Sequence, residues 1–258
     1  MAPERADRLS TASFRDVVLD AGRNWRAKIG FVLIPNEQTI EADMIRHAPE
    51  GVGVYFSRAT MPEDISTKSL AQLADSLAAA AGRILPDDGL DVVCFACTSG
   101  TVAVGEDRSL AELRAGAPSA RPATLMGSVR QALNTVGAHR LAVATPYTDE
   151  LNANVERYLT AAGFEIAAFE GLNLSYDRDM IRVSPSYLVD FALSVDRPDA
   201  DAILISCGAL RTIDVVEEIE RAAGKPVICS NQAMLWHCLR LAGVDDRIQD
   251  LGRLFRKH

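Results

Sequence analysis

Two cysteines sit where their thiols could do chemistry. Cys97 closes the run Asp91-Val-Val-Cys-Phe-Ala-Cys97-Thr98-Ser99-Gly100, and Cys207 closes Asp201-Ala-Ile-Leu-Ile-Ser-Cys207-Gly208-Ala209-Leu210. The cysteines lie 207 − 97 = 110 positions apart, and the leading aspartates 201 − 91 = 110 apart. A second pair of apolar runs, 29–35 and 141–146, ends in Pro35 and Pro146, which are 146 − 35 = 111 apart. Each half therefore carries a strand ending in proline and then a strand ending in cysteine. A duplicated α/β unit leaves this pattern, with one thiol from each copy facing a shared cleft. Ionised thiols are nucleophiles and bases. A single cysteine at such a place is more often a small buried hydrophobe, but two at matching positions of matching halves favour function.

The elements that must position them alternate. Strands are expected at 28–34, 92–96, 140–145, 202–206 and 226–229, as short apolar runs without strict alternation, the mark of parallel strands buried on both faces. Helices are expected at 67–85, 122–136, 149–162, 184–195, 210–223 and 232–242; glycines at 137, 163, 224 and 243 follow several of them. Strands alternating with helices imply βαβ units. The fold class expected is α/β, with two pseudo-symmetric Rossmann-like (flavodoxin-like) lobes, parallel sheets and an interlobe active site. The expected division is an extension over 1–26 with a short helix near 14–19, a first lobe over 27–120 completed by about 230–258, and a second lobe over 121–229. Pro118 and Pro122 support the boundary near 120. Ligands of open parallel sheets bind beyond the carboxyl ends of the strands, which is where Pro35, Cys97, Pro146, Tyr147 and Cys207 fall.

Composition bounds the function classes. The 258 residues carry a formal net charge of −8, so there is no basic footprint for nucleic acid. The N-terminus lacks a signal-peptide pattern and no apolar run reaches spanning length. Five cysteines do not suggest a secreted disulfide framework; reduced thiols in the cytoplasm are the expectation. Cys94-Phe-Ala-Cys97 is formally C-x-x-C, yet Cys94 sits inside an apolar run and no second such pair or histidine cluster follows, so no metal is expected. Cys229 and Cys238 read as core, and His237 as a packing residue. Ser230 either lines the cleft or caps the helix that follows it. There is neither a dinucleotide fingerprint nor a Walker pattern, and no cofactor is expected.

These residues resemble the aspartate/glutamate racemase superfamily, in its maleate cis-trans isomerase and arylmalonate decarboxylase branch. The segment Leu141-Ala-Val-Ala-Thr-Pro-Tyr147-Thr-Asp-Glu-Leu-Asn152 is similar to the tyrosine-bearing strand and loop of that branch. Ser206-Cys207-Gly208-Ala-Leu-Arg-Thr-Ile-Asp214 is similar to its second-cysteine motif, and Ala96-Cys97-Thr98-Ser99 to the first-cysteine motif of isomerases and racemases. Gly252-Arg-Leu-Phe255 resembles the decarboxylase C-terminus, but decarboxylases lack the first cysteine, so Cys97 points away from them.

The resemblance implies cofactor-free chemistry beside a carboxylate, with Cys97 as nucleophile or base and Cys207 as the complementary acid. It implies thiols of lowered pKa. Thr98, Ser99, Tyr147 and amides from Gly208 onward would stabilise an enediolate-like charge, the last at a helix start. Gln38, with Asn36 two residues earlier, falls where isomerases bind a substrate carboxylate through asparagine, and Glu37 adds a nearby negative charge. A further binding asparagine is replaced by Asp177, which repels a second carboxylate and suits an ammonium group. The activity implied is maleate cis-trans isomerisation. The alternative is an amino-acid racemase-like reaction, as in racemase-like proteins encoded with ectoine breakdown. An arylmalonate-type decarboxylase and a non-catalytic small-acid-binding protein rank behind both. The partner implied is a small carboxylic acid, with no nucleic acid or membrane, and the resemblance is compatible with a homo-oligomer.

Overall fold

The computed structural model describes residues 17–61 and 67–258. Part of the helix expected near 14–19 lies outside the described residues, and 17–20 have no regular structure. Eight strands form two sheets. Strands β1 (Ala27–Leu33), β2 (Val52–Arg58), β3 (Val92–Phe95) and β4 (Arg121–Thr124) make the first, in the order β2-β1-β3-β4. Strands β5 (Arg140–Thr145), β6 (Glu165–Gly171), β7 (Ala202–Ile205) and β8 (Val227–Cys229) make the second, in the order β6-β5-β7-β8. Every pairing is parallel. The two orders are the same permutation, as duplication requires.

The repeated aspartates have a structural role. Asp91 opens β3 and its carboxylate accepts the Lys28 amide at 2.8 Å, tying β3 to the start of β1. Asp201 opens β7 and accepts the His139 and Arg140 amides at 2.9 and 2.8 Å, tying β7 to the start of β5. The central strands are fully buried: β3 and β7 expose no residue. That burial on both faces is why they read as unbroken apolar runs.

Three strands escaped the sequence reading, whereas β8, an edge strand buried throughout, was expected at 226–229. β2, β4 and β6 are edge strands, and their sequences VGVYFSR, RPAT and EIAAFEG mix polar, small and apolar residues. Pro122 is tolerated because an edge strand leaves one side unpaired; it sits opposite Val93. The helix expected from 122 therefore starts at Leu125, where Thr124 caps α6 (Leu125–Thr135) by accepting the Gly127 amide at 3.0 Å. The division expected near residue 120 falls before β4, which belongs to the first sheet; the chain changes sheets between α6 and β5.

The other helices, in chain order, are α1 (Ile40–His47), α2 (Thr67–Gln72), α3 (Ala74–Gly82), α4 (Thr98–Val104), α5 (Glu106–Gly116), α7 (Asp149–Ala161), α8 (Asp177–Met180), α9 (Pro185–Val195), α10 (Val216–Ala223), α11 (Ser230–Leu241) and α12 (Gly252–Lys257). α11 packs on α6, β3 and β4, returning the C-terminal part of the chain to the first sheet. Glu220 secures the end of the chain by accepting the Val227 and Arg253 amides at 3.1 and 2.8 Å. None of the described helices is long and apolar enough to cross a membrane.

Helices α3 and α5 meet through glycine. A Cβ at Gly116 would lie 2.1 Å from the Ala78 carbonyl oxygen. Gly116→Ala is expected to force the helices apart and cost about 1–3 kcal/mol, as overpacking does. A lowered urea midpoint with an unchanged m-value would verify this; an unchanged midpoint would refute it.

Candidate active site between the two sheets

Cys97 and Cys207 follow the carboxyl ends of β3 and β7, an inner strand of each sheet, and line one cavity. Thr98 and Ser99 follow Cys97 on the same wall, Gly208 follows Cys207, and Tyr147 enters from the turn after β5. Glu37, from the turn after β1, and Asp177, from the start of α8, complete the polar lining. The enclosed volume is about 30 Å³, room for one or two waters.

Each cysteine is held by local backbone. Cys97 is the N-cap of α4, and its sulfur accepts the Gly100 amide at 3.2 Å, with the Ser99 hydroxyl at 3.8 Å. Gly100 must lack a side chain, because its Cβ would stand 2.9 Å from that sulfur. Cys207 accepts the Ala209 amide at 3.3 Å. No α-helix starts there. Residues 208–212 form a turn, a 3-10 turn spans Ile213–Val215, and α10 begins only at Val216. The helix-start amides expected after Cys207 are therefore turn amides.

Tyr147 shares the cavity with both thiols. Its phenol is within hydrogen-bonding reach of Cys207 and Thr98, and both thiols act electrostatically on it. Thr98 also meets the Ser230 hydroxyl at 3.3 Å. The turn carrying Tyr147 is clamped by Asn152, which accepts from the Thr145 hydroxyl and donates to the Tyr147 carbonyl at 3.1 Å. Ser230 does not cap α11: Cys229 is the N-cap, in a capping box with Gln232.

Behind Cys207 runs a buried polar link between residues far apart in the chain. Asn231 donates to the Gly208 carbonyl at 2.9 Å and to Asp43 at 2.7 Å. Helices α1 and α11 thereby fix the peptide that follows the second thiol.

Asn36 and Gln38 are not brought to the cavity. Both are exposed, and Gln38 turns back to the Asn36 carbonyl at 3.4 Å. Glu37 faces inward instead, because its carboxylate accepts the Thr39 and Ile40 amides, at 2.8 and 3.0 Å, at the start of α1. The capping interaction selects which side chain of the turn points inward.

The electrostatics reverse the expected lowering of the thiol pKa values. Burial pushes Cys97 to about 12, against the pull of the Gly100 amide and Ser99, and the neighbouring Asp177 and Glu37 push the same way. Cys207 is also pushed up to about 12 by burial, against the Tyr147 phenol and the Ala209 amide. Glu37 is raised to about 7, chiefly by burial and further by Asp177 and Asp43, while its two amide donors hold it down. Asp177 is raised to about 6 by burial. Among the described residues no lysine, arginine or histidine lines the cavity.

A thiol-lined cavity at the carboxyl ends of two like parallel sheets defines a class of two-lobed α/β enzymes. The chain matches the arylmalonate decarboxylase family model over residues 30–255 and belongs to that family, within the aspartate/glutamate racemase superfamily. It is 36% identical to the arylmalonate decarboxylase of Bordetella bronchiseptica over 135 residues, 51% of this chain and 56% of that enzyme. It is 26% identical to the maleate isomerase of Nocardia farcinica over 240 residues, 89% of this chain and 96% of that enzyme. The maleate isomerase Iso from Pseudomonas putida S16, solved with maleate, superposes with a TM-score of 0.82 at 23% identity, over 89% of this chain and 97% of that one. That likeness shows the fold.

Asp177 generates a stability prediction. Its folded pKa of about 6 exceeds the ordinary 3.8, so the folded state binds the proton more tightly. The stability this confers is full below about pH 4 and is lost as pH rises through 6, in total about 3 kcal/mol. Asp177→Asn removes the titration. Urea unfolding should show the variant more stable than the parent at pH 8, by up to about 3 kcal/mol, with the gain gone by pH 4. A difference independent of pH would contradict the buried charge.

Proposed function

We propose that this protein is a cofactor-independent isomerase that transfers a proton at the α-carbon of a small carboxylic acid, using Cys97 and Cys207 on opposite faces of the substrate. The supporting observation is that thiols from two equivalent strand ends line one water-poor cavity that a phenol shares. One thiolate takes the α-proton and becomes a thiol, and the electron pair spreads into the carboxylate as an enediolate. The opposite thiol delivers its proton to the other face and becomes the thiolate. Protons balance, and the two cysteines exchange roles at each turnover. Hydroxyls of Tyr147, Thr98 and Ser99, with the Ala209 amide, are the donors available to the enediolate oxygens.

A second reading is supported by the near-full-length similarity to a maleate isomerase. One thiolate adds to a cis double bond, the new single bond rotates, and elimination returns the thiolate with the trans acid. It needs a dicarboxylate, and the lining described above offers the second carboxylate no cationic side chain. Proton transfer on a monocarboxylate is the better electrostatic fit. Decarboxylation is disfavoured by the presence of Cys97.

Proton NMR in D₂O separates these routes. Loss of an α-proton signal without a new compound marks proton transfer, and conversion of maleate to fumarate marks the addition route. Cys97→Ala is expected to lower either rate by at least about 10³-fold, with the circular dichroism unchanged. Full turnover in that variant would overturn the two-thiol reading and leave an enzyme that needs Cys207 alone. Tyr147→Phe is expected to lower kcat by about 10²–10³-fold, the effect of losing one oxyanion donor; wild-type kcat would remove the phenol from the mechanism.

A further inference from the structure

Outside the cavity, one partly buried acid joins three helices. Glu106 opens α5, and its carboxylate takes a bond from each of two others. Oε1 accepts from the Arg130 guanidinium of α6 at 2.9 Å, and Oε2 accepts from the Tyr158 phenol of α7 at 2.7 Å. A Cβ at Gly127 would collide with Oε1, so the first turn of α6 leaves the carboxylate its place. Burial and then the Glu106 acceptor push the Tyr158 pKa up, against the pull of Arg130, so the phenol stays protonated and keeps donating. Charge-assisted bonds of this kind are about twice as strong as neutral ones.

Two of the helices that meet there lead to reactive groups. α4 has Cys97 as its N-cap and packs on α5, α6 and α7. It runs into α5 through Gly105, whose φ of +90° and open surroundings leave the angle of the joint to outside contacts. Glu106 is the next residue. α7 begins just after Tyr147, and its Asn152 holds the Tyr147 turn by accepting from Thr145 and donating to the Tyr147 carbonyl. The Tyr158 bond therefore connects a strand-end turn of the second sheet to a helix of the first. Glu106 lines no part of the cavity. Yet α4 is only about 10 Å long, so a tilt of about 6° at Gly105 moves Cys97 by about 1 Å, a misplacement that costs about 10²-fold in rate.

We propose that Glu106 is a positioning residue, whose single carboxylate fixes the helix that starts at Cys97 against the helix that holds the Tyr147 turn. It touches neither thiol. Loss of either bond lets α4 turn about Gly105, while Cys207 keeps its own supports, the Ala209 amide and the Asn231 link to Gly208 and Asp43. The two thiols then respond differently, which an ordinary stabilising ion pair does not require. The effect of Glu106 on rate rests on the two-thiol reading; its placement of Cys97 does not.

Alkylation of the full chain by iodoacetamide at pH 8, followed at each cysteine by peptide mass spectrometry, reads this placement. In Tyr158→Phe and Glu106→Ala the ratio of the Cys97 rate to the Cys207 rate is expected to rise about five-fold or more, with the circular dichroism unchanged. Glu106→Gln, which keeps an oxygen for Arg130 and an amide to meet the phenol oxygen, should return the ratio to within about two-fold of the parent. A purely structural tie would lower the urea midpoint and leave the ratio as it is. A ratio unmoved in Tyr158→Phe overturns the proposal, whether or not Glu106→Ala folds; so does an equal rise in Glu106→Gln and Glu106→Ala. Iodoacetamide needs no turnover, so the two readings fail separately. Full activity in Cys97→Ala removes the two-thiol mechanism and leaves the clamp; an unmoved ratio removes the clamp and leaves the mechanism.

Discussion

Five groups that become negative on losing a proton share a cavity of about 30 Å³: Cys97, Cys207, Tyr147, Glu37 and Asp177. In so little solvent each ionisation raises the cost of the next. That constraint organises the site. It explains why both thiols sit near 12 although each sulfur accepts a backbone amide. Each amide provides one partial charge, whereas burial removes the whole hydration shell.

The fold delivers this convergence through repetition. Two sheets of the same strand order place their corresponding strand ends at one cavity, so β3 and β7 each contribute a thiol and β1 and β5 each contribute a turn. The aspartates at the starts of β3 and β7 repeat because the tether to the neighbouring strand repeats. At the far ends the halves have diverged. After β5 the turn carries buried Tyr147, whereas the matching position after β1 is exposed Asn36, and it is the next residue, Glu37, that faces inward. After β3 a helix begins at once, whereas after β7 a turn intervenes before α10. The conserved part of the duplication is the frame, and the divergent part is the lining.

This division sets what the sequence revealed. Strands buried on both faces must be apolar throughout, so β1, β3, β5 and β7 were legible, and with them Cys97, Cys207 and Tyr147 at their ends. Of the four edge strands, β8 is buried at all three residues and was legible too, whereas β2, β4 and β6 mix polar, small and apolar residues and were hidden. Turn residues are harder still. Which of Asn36, Glu37 and Gln38 faces the cavity depends on backbone direction over three residues, decided here by the carboxylate's capture of the Thr39 and Ile40 amides. The family resemblance implies an amide side chain there, whereas the local hydrogen bonds place a carboxylate. The Asp43–Asn231–Gly208 link joins residues 188 and 23 positions apart and has no local signature.

The asymmetry of the lining bears on how one frame serves several chemistries. Cys97 is held by a helix-start amide and a hydroxyl, Cys207 by a turn amide and a phenol. A reaction that uses both faces of a substrate needs two thiols of similar acidity, and these two reach a similar value by different contacts. A reaction that adds a single nucleophile needs them unequal. The contacts that balance them lie in the turns and helix starts beyond the strand ends rather than in the sheets. Changing the reaction therefore does not require changing the fold: shifting one acid or one hydroxyl in those turns alters which thiol ionises first.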